Sequence, residues 1–164
     1  MDIAYHTPLD APALRRLGIP EPWGLGLADR VRFGEIDALG HVNNTAYMRW
    51  FESFRVSYLG LRQITDYGPD GPRLVLKRAT CDYLAEMLQG MDYVVTGRVR
   101  ALRTTSFTME YGVFLPAASG PARQTAAGEA IVVLLNPHGP GRHPIPEAGR
   151  RMLQELDGAI AEGA

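Results

Sequence analysis

Residues 32–55 read Arg32-Phe33-Gly34-Glu35-Ile36-Asp37-Ala38-Leu39-Gly40-His41-Val42-Asn43-Asn44-Thr45-Ala46-Tyr47-Met48-Arg49-Trp50-Phe51-Glu52-Ser53-Phe54-Arg55. The stretch predicts a strand that ends in the carboxylate of Asp37, a glycine turn, and then an aromatic-rich helix. Asn43 or Asn44 suits the N-cap, because its side-chain oxygen can accept a bond from a free N–H of the first turn. A helix N-terminus carries unpaired N–H groups and partial positive charge. A carboxylate beside it suits a reaction in which a carbonyl is polarised while the acid attacks it or activates water. The segment therefore points to acyl transfer.

Outward from this block, residues 27–34 have the alternation of a strand, with Val31 and Phe33 set against Arg30 and Arg32. On the other side the helix runs to about Leu59 and stops at Gly60. Tyr47, Phe51, Phe54 and Tyr58 recur at helical spacing, and Ala46, Met48, Trp50, Val56 and Leu59 make much of the rest apolar. A helix apolar most of the way round is expected to be buried. A Gly/Pro/Asp loop at 67–72 precedes four segments that read as strands, at 73–85, 92–103, 105–115 and 125–136, the second and third with clear period-two alternation. The gaps between them are short, which favours antiparallel neighbours. A last helix begins near Pro146 and Glu147, with Met152, Leu153 and Leu156 on its apolar side.

These elements predict an α+β fold: a curved antiparallel sheet of about five strands wrapped around one long central helix, with a C-terminal helix. One helix cannot cover both sides of such a sheet, so a second subunit is expected to supply further contacts. Residues 1–25, with Pro8, Pro12, Pro20 and Pro22, are expected to form an extension or arm with one short turn at 11–17. Residues 26–164 then make a single domain.

Composition narrows the partners. The chain has 164 residues, 46% of them apolar and 21% charged, with a net charge of -1. A nucleic-acid partner would call for a basic surplus, which is absent. No apolar run is long enough to cross a membrane. The start shows no basic region followed by an apolar run, so a cytoplasmic location is expected. Cys81 is the only cysteine, which rules out an internal disulfide. As a mid-strand residue it reads as a small core side chain. No Gly-x-Ser-x-Gly occurs, so a serine-hydrolase reading has no support.

The block from Phe33 to Tyr47, followed by Trp50, Phe51, Glu52 and Arg55, resembles the signature of hotdog-fold acyl-CoA thioesterases of the 4-hydroxybenzoyl-CoA thioesterase type. The resemblance covers residues 27–156 in element order. It implies a hotdog fold, assembly as a homodimer or homotetramer with active sites at the subunit interface, and no metal. Coenzyme A would enter only as part of the substrate, an acyl-CoA, with no separate cofactor. The family's catalytic carboxylate falls on Asp37, and its thioester-polarising N–H falls near Asn44. The arginines that hold the nucleotide phosphates lie at a strand–strand junction, here Arg103-Thr104-Thr105-Ser106. Only Arg103 remains of a pair of positions that is often basic at both. The histidine that some members carry at the place of Asn44 is here His41, earlier in the turn.

The residues leave several roles open. Asp37 is a nucleophile or general base, or a turn-forming aspartate. Glu35 would share a strand face with Asp37, or be a solvated charge. Glu52, if buried, needs a partner, and Arg49 and Arg55 are within helical reach. His41 can orient Asp37, touch substrate, or bond the turn. Asn43 and Asn44 can cap the helix, contact the thioester, or both. Val42 and Tyr47 lie early enough to border an acyl pocket. Arg98, Arg100 and Arg103 bind phosphates or form a solvated sheet face, with Arg103 and Thr104 the candidates for substrate binding. Glu35, Asp37 and His41 make a thin metal-ligand set, so no metal is expected. Two alternatives to a coenzyme A thioesterase stay open: an enzyme acting on carrier-protein thioesters, and a non-catalytic module that holds acyl thioesters.

Overall fold

Local chemistry sets the element boundaries of the protein, which is described over residues 3–163 in a computed structural model. Among the described residues the elements are β1 (Pro8–Asp10), α1 (Ala11–Arg16), β2 (Leu25–Arg30), a 3-10 turn (Phe33–Glu35), α2 (Asn44–Leu61), β3 (Arg73–Tyr83), β4 (Asp92–Leu102), β5 (Ser106–Leu115), β6 (Arg123–Leu135), α3 (Glu147–Asp157) and β7 (Ile160–Ala161). The sheet order is β1-β2-β4-β5-β6-β3, with β7 beside β4. The sheet is antiparallel apart from the parallel β4–β7 pair. Seven strands stand where about five were expected. The additional ones, β1 and β7, are three and two residues long, too short to carry a periodic signal.

The strand expected over 27–34 is displaced. β2 ends at Arg30, where it pairs with Asp92 of β4. The chain then turns because Glu35 Oε2 accepts the Arg32 N–H at 2.8 Å, closing the 3-10 turn. Glu35 Oε1 accepts the Trp50 indole N–H at 2.8 Å. Glu35 and Asp37 are therefore not neighbours on one strand face, and Glu35 is an anchor for the start of α2.

α2 has a buried and an open side. Ala46, Tyr47, Trp50, Phe51, Phe54 and Tyr58 are buried, whereas Arg49, Glu52, Ser53 and Val56 are exposed. Glu52 thus needs no buried ion pair, and among the described residues it has none. Gly60 does not stop the helix. α2 continues to Leu61, and Gln63 takes the left-handed conformation (φ 54°) after it. In α3, Leu153 is buried but Leu156 is 55% exposed, so the apolar side is narrower than expected.

The described chain forms two compact units. One holds the described residues up to Arg55 with Cys81–Gly97 and Tyr111–Gly128; the other holds Val56–Thr80, Arg98–Glu110 and the described residues from Glu129 on. In the first unit, Leu14 and Leu17 of the α1 region are buried with Ile19, Trp23, Ala28, Val94 and Phe114. α1 is capped by Asp10, whose carboxylate accepts the Ala13 N–H at 2.9 Å. In the second unit, a buried cluster joins the end of α2 to α3. Asp157 Oδ1 takes Arg62 at 3.0 Å, and Oδ2 takes the Val99 N–H at 2.9 Å and the Tyr58 hydroxyl.

Candidate active site

The loop before α2 is built on one oxygen of Asp37. Its Oδ1 accepts the Leu39 N–H at 2.8 Å and the His41 N–H at 3.2 Å. The Asp37 N–H returns a bond to the His41 carbonyl at 2.8 Å, and Gly40 turns the corner with φ 85°. Aspartate is short enough to reach its own backbone two residues on, which is why it suits such a turn. The other oxygen, Oδ2, has no hydrogen-bond partner among the described residues.

Asn43 begins the helix. Its Oδ1 accepts the Thr45 N–H and the Thr45 hydroxyl, both at 2.9 Å. The cap is therefore Asn43 rather than Asn44, and its side-chain oxygen is consumed in that work. The Asn44 N–H has no partner among the described residues, while the Asn44 carbonyl accepts the Tyr83 hydroxyl at 3.1 Å.

Asp37, His41, Val42, Asn44 and Tyr47 all border one cleft of about 370 Å³, with Tyr83 and Glu86 on the opposite bank. His41 does not turn its ring to Asp37. Its Nε2 lies 3.0 Å from Glu86 Oε2. Tyr47 stands edge-on to Tyr83, their ring centres 5.2 Å apart. Burial, with Cys81 and Tyr83 adding to it, pushes the Tyr47 hydroxyl up to about 12, so it stays protonated. Burial also raises the Cys81 thiol, which holds it in the un-ionised form. Tyr83 and Glu86 carried no signal in the sequence, since both reach the cleft from about forty residues away along the chain. Two residues that border the cleft thus keep a group without a partner among the described residues, a carboxylate oxygen of Asp37 and the N–H of Asn44, an acceptor and a donor of the kind that acyl chemistry uses.

Arg103 and Thr104 lie in the second unit. The β4–β5 turn is closed by the Arg103 N–H to the Ser106 carbonyl at 2.8 Å, leaving Thr104 and Thr105 as its tip. They border a groove of about 440 Å³, together with Lys77 and Arg142, two cations the sequence did not group with them. Arg98 and Arg100 do not border it. They pair with Glu110 at 2.5 Å and Glu129 at 2.8 Å. Among the described residues no group of three or more His, Cys, Asp or Glu could hold a metal ion. Nor is any helix there long and apolar enough to cross a membrane.

Residues 31–154 match the family described as the thioesterase-like superfamily. The chain belongs to that superfamily. Its fold is the hotdog thioesterase fold. The crystal structure of a thioesterase-superfamily protein from Jannaschia sp. CCS1 is 59% identical and superposes with a TM-score of 0.94, covering 98% of this chain and 99% of that one. A thioesterase from Thermus thermophilus, crystallised with coenzyme A and Zn, is 29% identical with a TM-score of 0.67, covering 85% and 98%. YsmA, an uncharacterised protein of Bacillus subtilis (strain 168), is 28% identical over 81 residues. That match spans about half of each protein, 49% of this thioesterase-like chain and 54% of YsmA.

Proposed function

We propose that the protein hydrolyses the thioester of an aliphatic or aromatic acyl-CoA to the free acid and coenzyme A, as a member of the 4-hydroxybenzoyl-CoA thioesterase type. One observation carries this reading: Asp37 and Asn44 border the same cleft, and the Asp37 Oδ2 and the Asn44 N–H have no hydrogen-bond partner among the described residues. Asp37 serves either as nucleophile, forming an acyl anhydride that water then cleaves, or as the base that takes a proton from attacking water. In both routes the carbonyl oxygen gains charge as the C–S bond breaks. The Asn44 N–H and the positive end of α2 offset that charge. The loss of one such donor costs about 2.7–4 kcal/mol of barrier in enzymes where it has been removed, so the helix start is a principal part of the site.

Val42 and Tyr47 bound the acyl group. His41, held toward Glu86, borders the cleft mouth. Arg103 and Thr104 hold the phosphates of the nucleotide, and Lys77 and Arg142 supply the positive charge that the rest of the turn lacks. Coenzyme A takes part only as a portion of the substrate. The Thermus relative, a thioesterase crystallised with coenzyme A, supports this choice of carrier.

A second copy of the chain completes the assembly. β3 is an end strand of the sheet order and exposes Val75 (42%) and Leu76 (47%). An edge strand that exposes apolar side chains is a surface that proteins normally cover. Sedimentation velocity should show a dimer or tetramer; a monomer at micromolar concentration would sink this part of the reading.

Free thiol released from short, medium, long and aromatic acyl-CoAs tests the activity, with Asp37→Asn run beside the wild type. We expect turnover of at least one class, reduced about 10²- to 10⁴-fold in the variant. No turnover on any coenzyme A ester, or full turnover by Asp37→Asn, would overturn the proposal. Carrier-protein thioesters, and then thioester binding without turnover, would be tested next.

A further inference from the structure

We propose that Glu162 is a built-in counter-anion of the Arg103 groove, and that it competes with the phosphates of a bound ligand for Arg103 and so moderates their affinity. The proposal rests on the assignment of that groove to the nucleotide end of coenzyme A. β7 runs parallel to β4, with Ile160 opposite Ala101 and Ala161 opposite Leu102. The Glu162 N–H donates to the Leu102 carbonyl at 2.9 Å. This register delivers the Glu162 side chain to Arg103, where Oε2 accepts the guanidinium Nε–H at 3.1 Å. Both side chains border the groove.

The charge count of the groove is uneven. Arg103, Lys77 and Arg142 bring three cations, and Glu162 brings the only anion among the residues that border it. Among the described residues Lys77 and Arg142 have no acidic partner, so the surplus is unspent. The one pair that exists is exposed, 59% for Arg103 and 43% for Glu162. Pairs in that setting are weak and readily exchanged. The backbone bond from Glu162 already fastens the end of β7, so the carboxylate is not needed for that.

A phosphate can displace such a carboxylate, because it carries more charge and more acceptor oxygens. A ligand without phosphate gains nothing by opening the pair. Glu162 therefore acts as an internal competitor: it occupies Arg103 until a stronger anion displaces it, and it lowers the affinity of any ligand that has to evict it.

The test is calorimetric titration of coenzyme A and of pantetheine, at low ionic strength, into the full chain, Glu162→Gln and Arg103→Gln. Binding rather than turnover is read, so the result stands apart from whether the protein hydrolyses thioesters. In Glu162→Gln the affinity for coenzyme A should rise roughly two- to fivefold, with no matching gain for pantetheine. In Arg103→Gln the affinity for coenzyme A should fall. If Glu162→Gln gives no gain, or an equal gain for pantetheine, the role of Glu162 is overturned. The groove assignment then survives provided Arg103→Gln still weakens coenzyme A selectively. If Arg103→Gln leaves coenzyme A unaffected, the groove assignment falls and this inference with it.

Discussion

Two aspartates of this chain meet opposite fates, Asp37 before α2 and Asp157 at the end of α3. Asp157 is 7% exposed and both of its oxygens are occupied, by Arg62, the Val99 N–H and the Tyr58 hydroxyl. Asp37, which borders a cleft, is half-buried and uses one oxygen on two backbone N–H groups, leaving the other without a partner among the described residues. The tyrosines divide the same way: Tyr58 is tied into the closed cluster, while Tyr47 borders the open cleft. The two carboxylates are the same residue type and differ in burial, but a second difference bears on chemistry. It is whether the lone pairs are all spoken for.

The largest effect that would break this contrast is on stability. Asp157→Asn should cost about 3–5 kcal/mol in urea unfolding, because it leaves the Arg62 guanidinium buried without its counter-charge. Asp37→Asn should cost no more than about 1 kcal/mol, since the amide oxygen can still accept the Leu39 and His41 N–H groups. Equal losses in the two variants would erase the distinction. A smaller effect sharpens the reading of the cleft wall. Burial holds the Tyr47 pKa at about 12 against 10.0 for a free tyrosine. Its contribution is fully present below pH 10 and is lost as pH rises toward 12, because the unfolded chain gives up its proton first. Between neutral pH and pH 11.5 the wild type should lose roughly 2 kcal/mol more stability than Tyr47→Phe. Parallel pH profiles for the two proteins would show that Tyr47 titrates as an exposed tyrosine does.

The parts of the fold that were legible are those written in a short period. β4 and β5 fall close to where alternation places them, and β3, β6 and both longer helices lie close to the segments read for them. Asn43 was legible as a cap because a cap is a local bond. The 3-10 turn was not, since it depends on Glu35, one of whose oxygens is held by Trp50 fifteen residues later. A helix apolar most of the way round would bury Glu52 and demand a partner for it, whereas Glu52 lies on the exposed side of α2. The hydrophobic content of the helix does not say which side faces solvent. At the site, the resemblance indicated Asp37, Asn44 and Arg103, but not the groups that arrive from distant segments. Glu86 reaches His41 across 45 positions, and Lys77, Arg142 and Glu162 reach the Arg103 groove from three separate stretches. No spacing rule encodes such meetings. They exist only once the strands are in register.

The division of labour within Asp37 also has an evolutionary side. The turn asks for a single acceptor oxygen on a short side chain, and an asparagine meets that demand as well as an aspartate. Glutamate, one methylene longer, would keep the charge but misfit the loop. Under the proposed mechanism, a single base change is therefore enough to remove the carboxylate while the loop stays intact on both sides of the step. Under that proposal, descendants of such a chain could lose hydrolysis and keep the fold of the cleft.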